Sequence, residues 1–304
     1  MKLTPRNANL MLMLAAAIWG FSFVAQRVGM RYVGPLTFNG VRFALGAAVL
    51  IPLLMWGRRN KSPSGKTAGS HDRALVFKGG LTAGLILFCG ATLQQYGMVY
   101  TTAGKAGFIT GLYVVFVPLL GLFIGQKTGR FVWAGAVAAA VGLYLLSARG
   151  IMGIDPGDGL VLLSALFWAA HVLVIGRLSR RIAPVRLAVA QFTVVSVLSL
   201  IGAVIFETIE LGTLRQAAIP ILYAGLLSVA VAYTLQVVAQ QRARPAHAAI
   251  ILSFESVFAA LGGWLVLSEG LSTRGIIGCV LMLAGILLAQ ADSDQYHEIG
   301  PAES

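Results

Sequence analysis

Residues 14–43 read LAAAIWGFSFVAQRVGMRYVGPLTFNGVRF, and residues 163–192 read LSALFWAAHVLVIGRLSRRIAPVRLAVAQF. The two stretches align without a gap at an offset of 149, matching Leu14 with Leu163, Ala16 with Ala165, Trp19 with Trp168, Arg31 with Arg180, Pro35 with Pro184 and Phe43 with Phe192. A second block repeats at an offset of 142. There Thr92-Leu93-Gln94 meets Thr234-Leu235-Gln236, and Ala106, Ile109, Val115, Phe116, Leu119 and Gly121 meet Ala248, Ile251, Val257, Phe258, Leu261 and Gly263. The chain is therefore a duplication whose second copy has a shorter loop before its second block. Both copies lie in strongly apolar sequence, and paired halves of this kind are the recurring plan of secondary transporters.

Composition places those halves in a membrane. Of 304 residues, 58% are hydrophobic and only 11% charged, with a mean hydropathy of +0.82; soluble domains carry about 25% charge. Apolar runs near the length needed to cross about 30 Å of hydrocarbon recur from end to end. Ten are expected: 8–28, 35–56, 76–98, 103–125, 130–147, 157–176, 184–206, 217–241, 246–268 and 273–290. They must be helices, because lipid offers no partner to backbone N–H and C=O groups and the runs lack barrel alternation. Residues 8–28 are longer than a signal-peptide core, lack a small-x-small cleavage site and are followed by nine more spans, so they are taken as the first span. Cys89 and Cys279 fall inside spans and say nothing of redox compartment. The longest polar stretch, 57–75, reads as a flexible loop.

The net charge of +12 is an orientation signal. With the N-terminus in the cytoplasm and ten alternating spans, Lys2, Arg6, Arg58, Arg59, Lys61, Lys66, Arg73, Lys78, Lys127, Arg130, Arg177, Arg180, Arg181, Arg186, Arg242 and Arg244 all fall inside. Only Arg27, Arg31, Lys105, Arg149, Arg215 and Arg274 fall outside. That asymmetry follows the positive-inside rule and leaves nucleic acid no place among the partners. Five spans per half is an odd number, so the second copy enters from the opposite side. The expected fold is an all-α membrane protein of ten helices in two inverted five-helix repeats, residues 8–147 and 157–290, with a cytoplasmic acidic tail, 291–304.

Several motifs together resemble the drug/metabolite transporter superfamily, in its EamA-type ten-span branch, over residues 8–290. Ala17-Ile18-Trp19-Gly20 is similar to the small-residue/Trp-Gly signature of the first span, and Arg42-Phe43 to the Arg-Phe of the second. Ser253-Phe254-Glu255-Ser256-Val257-Phe258-Ala259-Ala260 resembles the Glu-Pro-Val-x-Ala segment of the ninth span, with Leu267-Ser268-Glu269 in place of Leu-Gly-Glu. Ser256 stands where the family has Pro, which removes the usual reason for a kink there. Residues 104–118 look like one bacterial subgroup. The resemblance implies a multi-pass carrier of the bacterial inner membrane with both termini cytoplasmic, often exporting amino acids, other metabolites or drugs.

The polar residues inside spans are the candidate site. Glu255 alone among the acidic residues lies mid-span, where a charge costs about 2.5–3.5 kcal/mol and so must face the bundle interior. A carboxyl held there can carry a proton through a transport cycle; the alternative is a protonated tie between helices. Arg42 could neutralise Glu255 or hold a substrate carboxylate, or it could snorkel. Lys105 is expected at the interface. Gln94 and Gln95, beside Tyr96, and Gln236 need partners and suit a cavity wall or helix–helix glue. Trp19 and Trp168 form a symmetric pair that could line a pocket or simply pack. His171 lies one turn beyond Trp168, and Tyr113 occupies the slot that Glu255 fills in the other repeat. Gly80/Gly84, Gly107/Gly111 and Gly121/Gly125 are small-xxx-small pairs for close helix packing, and Pro118 is expected to break the fourth span.

Function classes can be ranked on the same residues. Gly104-Lys105-Ala106 lacks P-loop spacing. His71, His171, His247 and His297 are scattered, no second intramembrane carboxylate accompanies Glu255 and no zinc motif is present, so an enzyme is not expected. The expected function is a secondary transporter moving small metabolites or drugs by alternating access, proton-coupled through Glu255. The cavity is expected to be walled by spans 1, 3, 4, 6, 8 and 9, with spans 5 and 10 peripheral. A lipid or lipid-linked sugar flippase of the same fold is the nearer alternative, a membrane-embedded enzyme the remote one. No cofactor is expected. The partners are a small-molecule substrate and the lipid bilayer; a homodimer stays open.

Overall fold

A computed structural model describes residues 3–59, 70–126, 128–146, 156–268 and 273–298. Lys61, Lys66, Lys127, Arg149, Glu269 and residues 299–304 lie outside the described residues. So do the side chains of Arg58, Arg59, His71 and residues 289–298.

Every described element is helical. In chain order they are α1 (Pro5–Gly29), α2 (Pro35–Arg59), α3 (Ser70–Gly97), α4 (Ala103–Gly111), α5 (Tyr113–Phe123), α6 (Arg130–Leu146), α7 (Pro156–Leu178) and α8 (Pro184–Phe206). Then come α9 (Leu211–Gln216), α10 (Ala218–Leu222), a π-helical segment π1 (Tyr223–Tyr233), α11 (Thr234–Ala239), α12 (Pro245–Leu252), α13 (Glu255–Leu267) and α14 (Thr273–Glu298). Eight helical segments are long and apolar enough to cross a membrane: α1, α2, α3, α7, α8, and the composites Ala103–Phe123, Ala218–Ala239 and Pro245–Leu267. Two shorter apolar helices, Arg130–Leu145 and Thr273–Leu288, complete the set.

Proline at the first helical position sets φ without losing a bond, and it starts α1, α2, α7, α8 and α12. Large apolar side chains such as Phe77, Val204, Phe206 and Ile219 stay exposed on the outer surface. Lipid would cover such a face, while the polar side chains turn inward.

The hydrogen bonds of the turns repeat with the sequence. Tyr32 N–H bonds Gly29 O and Val33 N–H bonds Gly29 O; at the matching positions Arg181 N–H and Ile182 N–H both bond Leu178 O. Met98, Val99 and Tyr100 bond back to Gln94, Tyr96 and Gly97, as Gln240, Gln241 and Arg242 bond back to Gln236, Val238 and Ala239. Helices from corresponding places in the two copies also pair, α2 on α8 and α6 on α14.

The fourth and ninth spans are each broken in the middle, and the break differs from the expectation at Pro118. Helix α5 runs through Pro118 without interruption, and the break falls at Leu112. There Leu112, Val115 and Phe116 N–H bond Ile109, Leu112 and Leu112 O. The ninth span breaks in the same way, with Phe254, Val257 and Phe258 N–H bonding Ile251, Phe254 and Phe254 O. The first two bonds at each break are i→i+3 and tighten one turn without any proline, and the third returns the chain to the α-helical i→i+4 pattern. The bend therefore belongs to the repeat, and the missing Pro at Ser256 does not straighten the ninth span.

Glycines set the helix crossings. Gly80 faces Ala190 and Gly84 faces Val194 where α3 crosses α8; Gly107 and Gly111 face Ala259 and Ser256 where α4 crosses α13. The third expected pair does not form a crossing. Gly121 lies near Gln126 of its own loop, and Gly125, at φ +74°, ends α5 with open space around it.

Helices α6 and α14 pack chiefly on each other, away from the central cavity. A Cβ on Gly142 would stand 2.5 Å from Gly278 O and 2.7 Å from Met282 Cγ. Gly142→Leu is expected to push the pair apart, costing about 1–3 kcal/mol as overpacking does. A lowered unfolding temperature of the detergent-solubilised chain checks this, and an unchanged one refutes it.

Candidate functional site

The two mid-span breaks meet at the centre of the bundle. Tyr113 opens α5 directly after one break, and Glu255 opens α13 directly after the other. Both line one narrow cavity that the surrounding side chains nearly fill. The wall draws on α1 (Trp19, Phe23, Gln26), the fourth span (Thr110, Tyr113) and α7 (Trp168, Val172). It also draws on the eighth span (Ser228, Tyr233, Gln236) and the ninth (Leu252, Glu255), with Gln94 from α3 and Arg42 from α2.

Six of the eight expected cavity residues are thus brought together with Glu255: Trp19, Arg42, Gln94, Tyr113, Trp168 and Gln236. Gln95 and His171 are not in the wall. Gln95 is fully buried behind it with neither amide atom partnered. His171 stands one layer back, where its Nε2–H donates to Gln191 Oε1 at 2.9 Å. Its ring lies edge-on to Trp168 and Tyr233. Tyr96 and Lys105 also lie outside the wall.

Tyr233, which the sequence reading did not single out, is the hub of the site. Its ring lies 4.7 Å from Trp19, 6.2 Å from Trp168 in a stacked arrangement, 6.0 Å from Phe43 and 5.8 Å from Phe192. The repeat carried a signal for it, since Ala91 stands at the matching position. Tyr233 ends π1, whose i→i+5 pattern is rare and tends to occur at functional sites. Trp19 is anchored to that segment, its Nε1–H donating to Ser228 O at 3.1 Å.

The charged groups of the wall are held but not paired with each other. Arg42, 2% exposed, lies with its guanidinium 5.0 Å from the Phe43 ring centre and 5.6 Å from that of Phe38. Such stacking orients a cation without neutralising it. Among the described residues Arg42 and Glu255 form no ion pair with each other. Arg42 Nε lacks a hydrogen-bond partner, as do Gln26 Oε1, Trp168 Nε1 and Gln236 Oε1, while the Tyr113 hydroxyl faces the Glu255 carboxyl. The wall thus holds unspent donors and unspent acceptors, and leaving such groups unmet in a buried place is costly. Gln94 is already engaged, its Nε2 donating to Thr110 Oγ1 at 2.9 Å.

The backbone behind Glu255 is fixed. A Cβ on Gly20 would run into Phe258 and stand 2.6 Å from Glu255 O, so α1 and α13 touch main chain to main chain. Ser256 Oγ donates to Gly107 O at 2.6 Å, tying α13 to α4.

The two ends of the bundle differ. At the end holding the α1 C-terminus, Arg27 Nη1 donates to Met98 O at 2.6 Å and to Val99 O at 3.0 Å. Glu207 caps the start of α2, accepting from Leu36 N–H and Thr37 N–H at 2.8 Å and from Thr37 Oγ1 at 2.7 Å. Lys105 forms an ion pair with Asp158. Asp158 and Lys105 correspond through the repeat to Asn9 and His247. Those two meet at the opposite end, where His247 Nε2–H donates to Asn9 Oδ1 at 3.1 Å. That opposite end opens into a broad vestibule continuous with the solvent.

A bundle of apolar helices around a buried, half-satisfied polar cavity defines a membrane transporter. A family model described as the EamA-like transporter family matches residues 6–148 and again residues 155–290, and the chain belongs to that family. An uncharacterized transporter of Archaeoglobus fulgidus is 33% identical over 282 residues, covering 92% of this chain and 85% of that one. A Salmonella typhimurium protein named probable amino-acid metabolite efflux pump is 28% identical over 172 residues, 54% of this chain and 52% of that one. A solved crystal structure superposes with a TM-score of 0.75 over 96% of this chain and 99% of that one. At 17% identity it shows the fold alone.

Proposed function

We propose that the chain is a secondary carrier of the inner membrane that exports small zwitterionic metabolites of the amino-acid class by alternating access. Its ten apolar helices are read as ten spans in two inverted five-helix repeats, 8–147 and 157–290, with both termini and the acidic tail 291–304 in the cytoplasm. The side-chain contacts between loops support this, since each joins turns that alternating spans put on one side. The observation that carries the substrate class is that Arg42 and Glu255 enter one cavity wall without pairing with each other. A solute carboxylate at Arg42, an ammonium at Glu255 and an apolar side chain against Trp19, Trp168 and Tyr233 would meet the free groups of the wall. The Salmonella typhimurium efflux pump, by its name, points to the same class.

Side chains nearly fill the cavity, so a solute enters only when the halves part. The repeat-related pairs Lys105–Asp158 and His247–Asn9 sit where such parting would act, one at each end. Glu255 serves as the proton carrier, exchanging its proton for the solute's cationic group.

Proteoliposomes loaded with leucine test the substrate class through competition by structural analogues. Leucine and other zwitterions are expected to compete, whereas leucine methyl ester, which lacks the carboxylate, and 4-methylvalerate, which lacks the amine, compete at least tenfold less well. Equal competition by all three overturns the zwitterion reading.

A further inference from the structure

The vestibule is lined by Arg177 from the last turn of α7, by Arg180 and Arg181 from the turn that follows it, by Arg242 and Arg244 from the turn before α12, and by His247. No carboxylate lines it among the described residues. Three helices, α1, α6 and α12, also begin at its wall, near Pro5, Gly129 and Pro245. Helix N-termini carry partial positive charge and unspent N–H groups, so they add to the arginine field. At the other end of the bundle the positions matching the five arginines are Val28, Arg31, Tyr32, Tyr100 and Thr102. The positive-inside rule is met by a basic residue anywhere in a loop, and Arg73, Lys78 and Arg186 meet it away from this wall. It does not require five arginines and three helix starts around one opening. Helix α7 links the opening to the central cavity, with Val172 in the cavity wall and Gly176 and Arg177 in the vestibule.

We propose that the vestibule is an anion-binding site that engages a carboxylate or phosphate group, including the carboxylate end of a zwitterionic solute, and presents it to the central cavity. A low-dielectric funnel lined by one sign of charge raises the local concentration of the opposite sign. The assignment of the captured anion as cargo rests on the carrier reading above. Capture itself can be measured without transport, so the two can fail separately.

The test uses the full chain in nanodiscs, with Cys89→Ala and Cys279→Ala and a single reporter, Thr128→Cys, on the vestibule wall. The rates at which an anionic sulfonatoethyl methanethiosulfonate and a cationic trimethylammonioethyl methanethiosulfonate modify the reporter are each normalised to free cysteine. In phosphatidylcholine discs at low salt the anionic reagent is expected to be favoured about tenfold or more. Adding Arg177→Gln, Arg181→Gln and Arg242→Gln should bring that ratio near one. If the triple variant does not fold, raising salt to about 0.5 M in the parent should collapse the ratio in the same way. A ratio near one in the parent, or one insensitive to both arginines and salt, overturns the proposal. Inorganic phosphate lowering the anionic preference at constant ionic strength in phosphatidylcholine discs supports free anionic solutes as the occupants. Protection that needs phosphatidylglycerol, with none from phosphate, overturns the cargo assignment in favour of a lipid headgroup.

Discussion

Glu255→Gln should leave a folded carrier that no longer responds to a proton gradient. The residue sits at the start of α13, is 5% exposed, and lines the cavity beside Tyr113. Gln keeps the shape and one acceptor but cannot take up and release a proton. A gradient of one pH unit supplies about 1.4 kcal/mol per proton moved, or tenfold accumulation. Wild-type proteoliposomes should reach that accumulation of leucine, whereas the variant should reach none and still exchange leucine across the membrane. An unchanged response to the gradient in Glu255→Gln would falsify coupling through this residue.

Arg42→Ala should weaken substrate binding by the largest factor of any cavity substitution that leaves Glu255 in place. A hydrogen bond to a charged group contributes about 1.5–3 kcal/mol, which corresponds to a loss of roughly 10- to 150-fold in affinity. Arg42→Lys keeps the charge but loses the planar fork and the stacking on Phe38 and Phe43, and should fall between the two. Isothermal titration of leucine into each solubilised variant provides the binding curve, and thermal unfolding of each variant separates lost binding from lost packing. Equal affinity in wild type and Arg42→Ala removes the carboxylate from this side of the cavity.

The layout of the helices was legible because lipid imposes a strong and simple pattern. The seventh apolar run, in the second copy, needed only its length and its proline start, and 184–206 coincides with α8. The cavity was legible in outline because charged and amide groups have nowhere else to go in hydrocarbon, which brought Arg42, Gln94, Gln236 and Glu255 to one wall. What escaped has no compositional mark. The breaks at Leu112 and at Ser253–Phe254 use ordinary residues, because the tightened turns are held by packing such as Ser256 on Gly107. Pro118 misled for the converse reason, since a helix can continue through a proline that its neighbours support. Gln95 was drawn toward the cavity by its polarity and His171 by its place one turn beyond Trp168, yet the wall takes their chain neighbours Gln94 and Val172, and a one-residue step along a helix turns a side chain by about 100°. Tyr233 was missed because an aromatic residue in an apolar run looks like lipid-facing or core filler. Only its mismatch with Ala91 marked it.

The π-helical stretch before Tyr233 has a mechanical consequence. A π-helix spends one more residue per turn than an α-helix over the same path, so it stores slack in its register. Passing that extra residue along the span would rotate everything beyond it by about 100°. Tyr233 and Gln236 would swing together, and the Ser228 carbonyl would leave the Trp19 indole. Such a shift would give the eighth span a swivel of its own, reshaping the cavity wall from within one helix.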